Sequence, residues 1–244
     1  MPDSQIKVTL IDNMGSDLSV VNAARVSFGK ASEWEWETKE VRMGDGEWVP
    51  MKGNPHLSDR DTKLIHYLAK HEHISPFGHA FASFHVKAPI FVARQLVKHK
   101  FLRWNEISRR YVDEGPTFYV PDVWRGRSKD KKQGSDGEIT TSCVSDRCGE
   151  ATHPSYAYTD LWNHAEDLYL QMIKAGVAPE QARMILPQSL VTEWYWSGSL
   201  DAFASMCKLR LKDDTQYESR LVAQQIDNEM SYLFPVSWKA LVHG

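Results

Sequence analysis

The most informative stretch of this sequence is Arg94-Gln-Leu-Val-Lys-His-Lys-Phe-Leu-Arg-Trp-Asn-Glu-Ile-Ser-Arg-Arg110, followed directly by Tyr111. It holds six arginines and lysines and one histidine against a single acid, Glu106, although the whole chain has a formal net charge of -3. Focused positive charge of this kind attracts phosphate and carboxylate groups. The stretch therefore predicts a site for an anionic ligand.

Helical spacing predicts that the stretch begins as a helix. Pro89 suits a first helical position, and Ile90, Ala93 and Val97 fall on one face. Residues 98–100 would then lie in the last turn, where cations complement the negative end of a helix. A bare Lys-His-Lys at this place is also typical of a solvated basic helix end, which is the alternative interpretation.

The residues that follow favour an ordered polar site in a structured loop. Within a few positions they offer amide, hydroxyl, carboxylate and guanidinium groups, supplied by Asn105, Glu106, Ser108, Arg109, Arg110 and Tyr111. Such a variety of donors and acceptors fits ligand binding better than a solvated face.

Length and composition limit the class of protein. With 244 residues and 42% hydrophobic content, the chain can bury a full core as a single domain over 1–244. No apolar run approaches the roughly 20 residues that span a bilayer, and the first residues lack the layout of a secretory signal. Three cysteines are too few for a disulfide framework, which predicts a reducing, cytoplasmic location.

Periodicity divides the rest of the chain into strands and helices. Alternation over 82–86 predicts a half-buried strand, and helical spacing predicts a long helix over 156–175 with Leu161 and Leu168 on its apolar face. The other predicted elements are strands at 7–12 and 191–197, a helix at 18–25 capped by Asp17, a helix with Leu64, Ile65 and Leu68 behind a capping box at 58–61, a short helix at 179–187, a helix from its cap Ser199 to Leu211, and a last long helix that Thr215 and Glu218 begin.

Two segments have the composition of inserts. Residues 34–57 alternate tryptophan with acid and are then rich in glycine, which predicts an inserted hairpin or loop whose strand has one apolar face. Residues 125–153 are charged and rich in glycine and serine, which predicts a mobile insert.

Other familiar sites are weakly supported. There is no Gly-x-Gly-x-x-Gly and no phosphate-binding Gly-Lys-Ser/Thr loop. Cys143, Cys148 and His153 have a loose spacing without an obvious fourth ligand, so we predict no metal site. Cys207 lies beside Met206 and Leu209, which favours a buried structural thiol over a nucleophile.

Two further arginines are candidates for binding an anion. Arg210 lies between leucines in a helix, and a partly buried guanidinium needs an anionic partner because it keeps its proton. A structural carboxylate is the alternative partner. Arg183 lies between Ala182 and Met184, and by itself it is an ordinary surface or paired arginine.

The basic stretch resembles the signature of the flavin-dependent thymidylate synthases, the ThyX family. That signature is written Arg-His-Arg-x-x-Ser-x-Asn-Glu-x-Ser-x-Arg-Tyr, and residues 98–111 follow its spacing. The other segments that resemble the family, over about residues 5 to 235, are His73–His79, Phe84–Gln95, Phe118–Pro121, Ala182–Pro187, and Leu209-Arg210 with Gln216. Several ordered motifs at compatible spacing are more specific than one short pattern.

The resemblance implies a pyrimidine nucleotide that stacks on a flavin, with a folate as the one-carbon donor. Carried over by position, the nucleotide contacts are Gln95, Lys98, Glu106, Ser108, Arg109, Arg110, Arg183 and Arg210, and Arg210 would be the catalytic residue that helps to ionise N3 of the ring. The implied FAD contacts are His73, Ser75, Lys98, His99, Lys100, Glu106, Ser199 and Ser205. Binding of FAD is implied at subunit interfaces.

The chain departs from the family pattern mainly at the flavin contacts. Lys98 and Lys100 replace two arginines, which keeps the charge but loses the bidentate fork. Arg103 replaces the first serine of the signature. Gly78 stands where an acid is common, and residues 199 and 205 are serines where asparagines are common.

We therefore predict an α/β fold with a mixed sheet and long helices, in a homotetramer with composite active sites. The predicted reaction is reductive methylation of dUMP to dTMP, with 5,10-methylenetetrahydrofolate, FAD and NADPH. One alternative is a relative that installs hydroxymethyl or prefers another pyrimidine. The other is a nucleic-acid-binding module, suggested by Phe101 and Trp104 among the cations but disfavoured by the acidic chain as a whole.

Overall fold

The computed structural model describes residues 5–112, 115–129, 134–139 and 144–244. The strands are β1 (Lys7–Met14), β2 (Glu35–Arg42), β3 (Trp48–His56), β4 (Phe81–Pro89), β5 (Leu102–Glu106), β6 (Arg125–Arg127), β7 (Ser135–Glu138), β8 (Val144–Ser145), β9 (Ala151–Thr152) and β10 (Val191–Ser199). The helices are α1 (Asp17–Arg25), α2 (Asp59–Lys70), α3 (Ile90–Leu96), α4 (Pro154–Lys174), α5 (Pro179–Ala182), α6 (Leu200–Arg210), α7 (Tyr217–Leu233) and α8 (Pro235–Val242). Short 3₁₀ turns occur at Val26–Phe28, Ser75–His79 and Arg183–Ile185.

The main sheet has four strands in the order β1–β4–β10–β5, and all three pairings are antiparallel. The predicted mixture of helices and sheet is confirmed, but the prediction of a mixed sheet is wrong. β4 and β5 run in the same direction, because both pair antiparallel with β10. Since β10 lies between them, the described part of the chain contains no parallel pair.

One face of this sheet is buried in the core. Along β4, Ala82, Phe84 and Val86 are buried and alternate with partly exposed residues, as the sequence predicts. Trp194 and Trp196 of β10 are each 1% exposed, and Phe203 of α6 packs edge-on against Trp196 at 5.5 Å between ring centroids. The tryptophans of the central strand therefore fix α6 on the sheet.

Helix α1 begins one residue earlier than the sequence predicts, and its cap is different. Ser16 is the N-cap, whereas Asp17 is the first helical residue and is 3% exposed. The Asp17 carboxylate accepts hydrogen bonds from the backbone N–H groups of Val236 and Ser237, at 2.9 and 2.8 Å. Asp17 thus satisfies the N-terminus of α8, which is distant in sequence, instead of its own helix.

The other predicted caps are partly correct. The Ser58 hydroxyl accepts from the backbone N–H of Asp61 and caps α2 as predicted. Ser199 precedes α6 but makes no side-chain cap bond. Helix α7 begins at Tyr217, and its N-cap is Gln216, not the predicted Thr215. The Thr215 hydroxyl donates to the Leu209 carbonyl oxygen at 3.0 Å and does not cap the helix.

The basic stretch divides differently from the prediction. Helix α3 ends at Leu96, so residues 98–100 lie in the turn after the helix and not in its last turn. The predicted loop is partly the edge strand β5. Gly198 of β10 permits this pairing, because a Cβ there would clash with Leu102 and lie 3.2 Å from the Phe101 carbonyl oxygen.

The segment 34–57 contains the antiparallel hairpin of β2 and β3. Both faces of this hairpin are largely exposed: Trp36 is 47% exposed and Trp48 is 59% exposed. Residues 125–153 contain two short hairpins, β6–β7 and β8–β9, among their described residues. Whether this insert is mobile stays a prediction.

Helix α4 spans the segment predicted for it, and Gly176 follows its end with φ of 83°. Its predicted apolar face is not buried in the chain, because Leu161 is 56% exposed and Leu168 is 41% exposed. Among the described residues, no helix is both long and apolar enough to cross a membrane.

Candidate active site

Arg210 is held at the end of α6 by the turn that follows α3. Its Nε donates a hydrogen bond to His99 Nε2 at 3.0 Å, and its Nη2 donates to the Gln95 carbonyl oxygen at 3.4 Å. Within the described residues, Nη1 of Arg210 has no hydrogen-bond partner. The guanidinium is therefore fixed on one edge and available on the other.

His99 is half-buried, and this burial, together with the neighbouring Arg210 charge, lowers the pKa of its imidazole to about 4. The ring is therefore neutral near pH 7, with Nε2 as an acceptor. Burial also lowers the pKa of Arg210 from its ordinary value. The alternative prediction, a structural carboxylate beside Arg210, is not met in the described chain, because a neutral imidazole lies there instead.

The Gln95 side chain belongs to the same cluster and contacts the start of α7. Its Nε2 donates to Gln216 Oε1, and its Oε1 accepts from the Ser219 hydroxyl at 3.3 Å. Gln216 Nε2 in turn donates to Glu218 Oε2 at 3.3 Å, and Glu218 pairs with Arg125. We call Gln95, His99, Arg210, Gln216 and Ser219 the α6–α7 cluster.

Glu106 lies at the end of the edge strand β5. Its two carboxylate oxygens accept from Trp104 Nε1 at 3.0 Å and from the Thr192 hydroxyl at 2.7 Å. Trp104 itself stacks on Trp194 at 4.3 Å between ring centroids. The carboxylate is exposed and oriented by the sheet.

Among the described residues, Arg210 makes no hydrogen bond with the predicted nucleotide contacts Ser108, Arg110 and Arg183. Ser108 lies close to Arg110, whose backbone N–H points to the serine hydroxyl at 3.3 Å, and the Arg110 guanidinium lies over the Tyr111 ring at 5.3 Å. Arg109 is partly exposed. Arg183 is exposed on its 3₁₀ turn, and its side chain makes no hydrogen bond or ion pair with any described residue.

Two of the predicted flavin contacts, His73 and Ser75, line a groove of about 1140 Å³ between α1 and α2. Sequence reasoning missed its other polar residues, above all Lys30, Arg60 and Lys63, which form no ion pair with the described chain. Arg60 and Lys63 are three residues apart and share one face of α2, which was the available signal. Hydroxyl, imidazole and ammonium donors beside the exposed rings of Phe28 and Tyr67 fit a ligand that carries both phosphate and an aromatic ring.

The other predicted flavin contacts are distributed around α6. Ser199 precedes the helix, Ser205 is exposed in its middle, and Lys98 and Lys100 are exposed in the turn that contacts its end. The 3₁₀ turn that carries Ser75 packs against the same helix. One helix therefore connects the groove with the α6–α7 cluster.

A second cleft of about 540 Å³ adjoins the α6–α7 cluster. Arg125, Gln216, Tyr217 and Glu218 contribute to its wall. The Arg125 guanidinium lies 4.4 Å from the Tyr217 ring centroid and donates through Nε to the Ser135 hydroxyl at 2.9 Å. Sequence reasoning missed Arg125 and Ser219, and it took Glu218 only as a helix-start residue.

Cys207 on α6 tests the prediction of a structural thiol. Cys207 is fully buried, and burial raises the pKa of its thiol well above the ordinary value, which confirms a structural thiol. Of the loosely spaced set Cys143, Cys148 and His153, Cys143 lies outside the described residues. The described residues contain no group of three or more histidine, cysteine or acidic side chains suited to a metal.

Comparison with known proteins decides the family. Residues 9–236 match the family model described as Thymidylate synthase complementing protein. The chain belongs to this family. It is 36% identical over 233 residues to a flavin-dependent thymidylate synthase of Thermus thermophilus, covering 96% of this chain and 74% of that protein. It is 32% identical over 240 residues to the enzyme of the same name from Kosmotoga olearia, covering 97% and 90%.

A solved structure supports the assignment. The UMP/dUMP methylase PolB from Streptomyces cacaoi, bound with 5-Br UMP, superposes with a TM-score of 0.75 at 29% identity, covering 98% of this chain and 94% of that one. The resemblance to flavin-dependent thymidylate synthases is thereby confirmed, and the protein is a flavin-dependent enzyme of this type. The family assignment displaces the nucleic-acid-binding module as the interpretation of the basic stretch.

Proposed function

We propose that the protein catalyses the reductive methylation of dUMP to dTMP, with 5,10-methylenetetrahydrofolate as the one-carbon donor, FAD as the flavin and NADPH as the reductant. The observation that carries this proposal is the setting of Arg210. In this chain, the Arg210 guanidinium donates a hydrogen bond to the neutral His99 ring, and its Nη1 has no hydrogen-bond partner among the described residues. Support from outside the chain comes from relatives named as thymidylate synthases and from a structural neighbour named as a UMP/dUMP methylase.

Arg210 would act on the pyrimidine ring. Uracil becomes anionic when N3 loses its proton, and a fixed cation beside N3 stabilises that charge where it develops. Neutral His99 suits this role, because it orients the guanidinium through Nε without adding a second positive charge. A carboxylate in its place would neutralise Arg210 and weaken its effect on the ring.

The other nucleotide groups would be bound by donors from two parts of the chain. A phosphate needs cations and N–H groups, which Lys98, Arg109, Arg110 and Arg183 supply, while Gln95, Glu106 and Ser108 offer neutral and anionic hydrogen-bonding groups for the sugar and the ring. Lys98 is near the α6–α7 cluster, whereas Arg110 and Arg183 are exposed elsewhere. We therefore propose composite sites in a homotetramer, where one chain supplies Arg210 and another supplies the exposed arginines.

The residues that would hold FAD are His73 and Ser75 in the groove between α1 and α2, Ser199 and Ser205 on α6, Lys98, His99 and Lys100 in the turn, and Glu106 on β5. When bound, the reduced flavin would supply the hydride that completes the methyl group. The lysines would contribute positive charge toward the flavin phosphates, and the serine hydroxyls would accept or donate hydrogen bonds as the ligand requires.

The purified protein should be yellow and should release FAD on denaturation. The activity test is to incubate it with dUMP, methylenetetrahydrofolate and NADPH and to measure the mass of the nucleotide product by mass spectrometry. A methyl increment is expected. A hydroxymethyl increment would support the alternative one-carbon outcome, and modification of dCMP but not dUMP would overturn the role of Arg210, since cytosine has no N3 proton to lose. A colourless protein that does not take up added FAD would overturn the flavin proposal.

The same assay decides a second candidate substrate, UMP. This candidate is favoured by the structural neighbour, which is named for both nucleotides. A matched series with UMP and dUMP at equal concentrations would give the ratio of kcat/KM values for the two sugars.

A further inference from the structure

A chain of hydrogen bonds runs from the second insert to the proposed nucleotide contact Gln95. Arg125 donates to Glu218 Oε1, Gln216 Nε2 donates to Glu218 Oε2, and Gln95 Nε2 donates to Gln216 Oε1. The chain ends at Ser219, whose hydroxyl donates to Gln95 Oε1 at 3.3 Å. Glu218 is 4% exposed and Ser219 is fully buried, whereas Gln95, Gln216 and Arg125 are partly buried.

The chemistry of the first two members fixes the direction of the whole chain. Arg125 can only donate, and an ionised carboxylate can only accept, so Gln216 must turn its N–H₂ end toward Glu218. The side-chain carbonyl of Gln216 then faces Gln95, so the Gln95 amide must direct its N–H₂ group toward Gln216. The hydroxyl of Ser219 can rotate to serve either end of the Gln95 amide, so it imposes no direction.

We propose that Glu218 is a positioning residue, which sets through Gln216 which end of the Gln95 amide faces the nucleotide. Arg125 contributes by holding the Glu218 carboxylate as an acceptor. This inference rests on the proposed function, because it takes Gln95 to be a nucleotide contact. We call the hydrogen-bonded chain of Arg125, Glu218, Gln216 and Gln95 the relay. When its bonds and the bond from Ser219 are made, the Gln95 nitrogen keeps one free N–H and its oxygen keeps one lone pair. Reversal of the amide exchanges their places, so a ligand acceptor that met the N–H would then meet the carbonyl oxygen.

The relay predicts an unusual pattern for two substitutions. In E218Q, the new amide must turn its oxygen to Arg125 and its nitrogen to residue 216, which reverses Gln216 and then Gln95. In the double variant E218Q/Q216E, the carboxylate at position 216 accepts from both sides, so Gln95 recovers its native direction. The double variant also keeps the net charge of the native chain.

The experiment is to titrate dUMP into the FAD-loaded native protein and the variants by calorimetry, with KM and kcat measured in parallel. We expect E218Q to bind dUMP about 10-fold more weakly, as for a lost hydrogen bond to a charged group. We expect the double variant to return to within about 3-fold of native affinity. E229Q, the same chemical change on the same helix but outside the relay, should bind like the native protein. Unfolding midpoints and flavin absorbance would establish that each variant is folded and loaded.

The outcomes separate the relay from the proposed function. Native affinity in E218Q, or equal weakness in E218Q and the double variant, would overturn the relay while the native protein still bound dUMP. A native protein that bound no dUMP would overturn the proposed function and the relay together. If E218Q did not fold, the double variant alone would decide: the relay requires near-native affinity, and a folded double variant with weak binding would contradict it.

Discussion

The two ends of the basic stretch are held in opposite ways. His99 and Gln95, at its beginning, are locked by Arg210, Gln216 and Ser219, through side chains that are buried or half-buried. At its other end, the hydrogen bonds and ring contacts of Arg110 and Tyr111 among the described residues are local, with each other and with Ser108, and Tyr111 is 78% exposed. A short segment of sequence thus contributes one part that its own chain organises and one part that its own chain leaves open.

This difference teaches where a partner is needed. A group that must hold a catalytic charge in place benefits from rigid support, which the α3–α6–α7 junction provides. Groups that bind a phosphate gain little from pairing inside the free chain, because such pairs would have to be broken when the ligand binds. The exposed half therefore suits a composite site, which is our proposal for the homotetramer.

The largest expected effect concerns the organised half. Arg210→Ala should lower kcat by ~10²–10³, because one oriented charge at the reacting ring is lost, while bound flavin stays largely in place. Single-turnover kinetics with dUMP, together with the flavin absorbance of the same sample, measure both effects. Near-normal turnover would show that Arg210 does not act on the ring. Lys208→Ala, on an exposed part of the same helix, is the matched control and should retain activity.

The second prediction tests whether the two halves come from different chains. The Arg210→Ala and Arg110→Ala variants should each have low activity when expressed alone. Co-expression should restore about a quarter of native activity, because random mixing of the two chains leaves about one composite site in four with both arginines intact. Activity is measured on purified mixed oligomers, with the two variants mixed after separate folding as the control. If both arginines acted in one chain's site, co-expression would restore nothing.

A third prediction concerns pH and the neutral state of His99. Its pKa in the folded protein is about 4, below the ordinary value of about 6.5 in an unfolded chain. The unfolded chain therefore binds the extra proton first, and stability should fall as the pH drops from about 6.5 to about 4, by about 1–3 kcal/mol given the partial exposure of the ring.

Thermal unfolding between pH 4 and pH 7 checks this slope. His99→Gln keeps an acceptor for Arg210 but cannot be protonated, so its stability should vary less over the same interval. His66→Gln, on an exposed position of α2, should retain the native slope. Equal slopes in all three proteins would mean that His99 is not the group responsible.

The smallest expected effect is at the two lysines in the turn after α3. Lys98→Arg and Lys100→Arg should keep FAD bound, with a dissociation constant equal to or lower than the native one, because a guanidinium can bind phosphate through two hydrogen bonds. Equilibrium titration of the flavin-free protein with FAD gives the constants. Loss of FAD from both variants would contradict the proposed flavin contacts and show a site shaped around lysine.

The sequence predicted the elements with the clearest periodicity and could not predict where their ends find partners. The spacing along β4, β10 and α4 indicated these elements within a few residues, because such patterns are local. Asp17 looked like a cap for its own helix but caps α8, more than 200 residues away. Glu218 likewise looked like a local helix signal and instead pairs with Arg125 from the second insert.

By itself, the sequence determined the family, the position of the basic stretch and the alternating pattern of strand β4, since each is written in the order and spacing of residues. Only the tertiary structure decided that β10 enters between β4 and β5, which makes all three pairings of the main sheet antiparallel. The same packing brings α6 and α7 against the end of α3 and makes a neutral histidine the partner of Arg210. Contacts between residues more than 100 positions apart depend on burial and on competition among many possible partners, which no local pattern records.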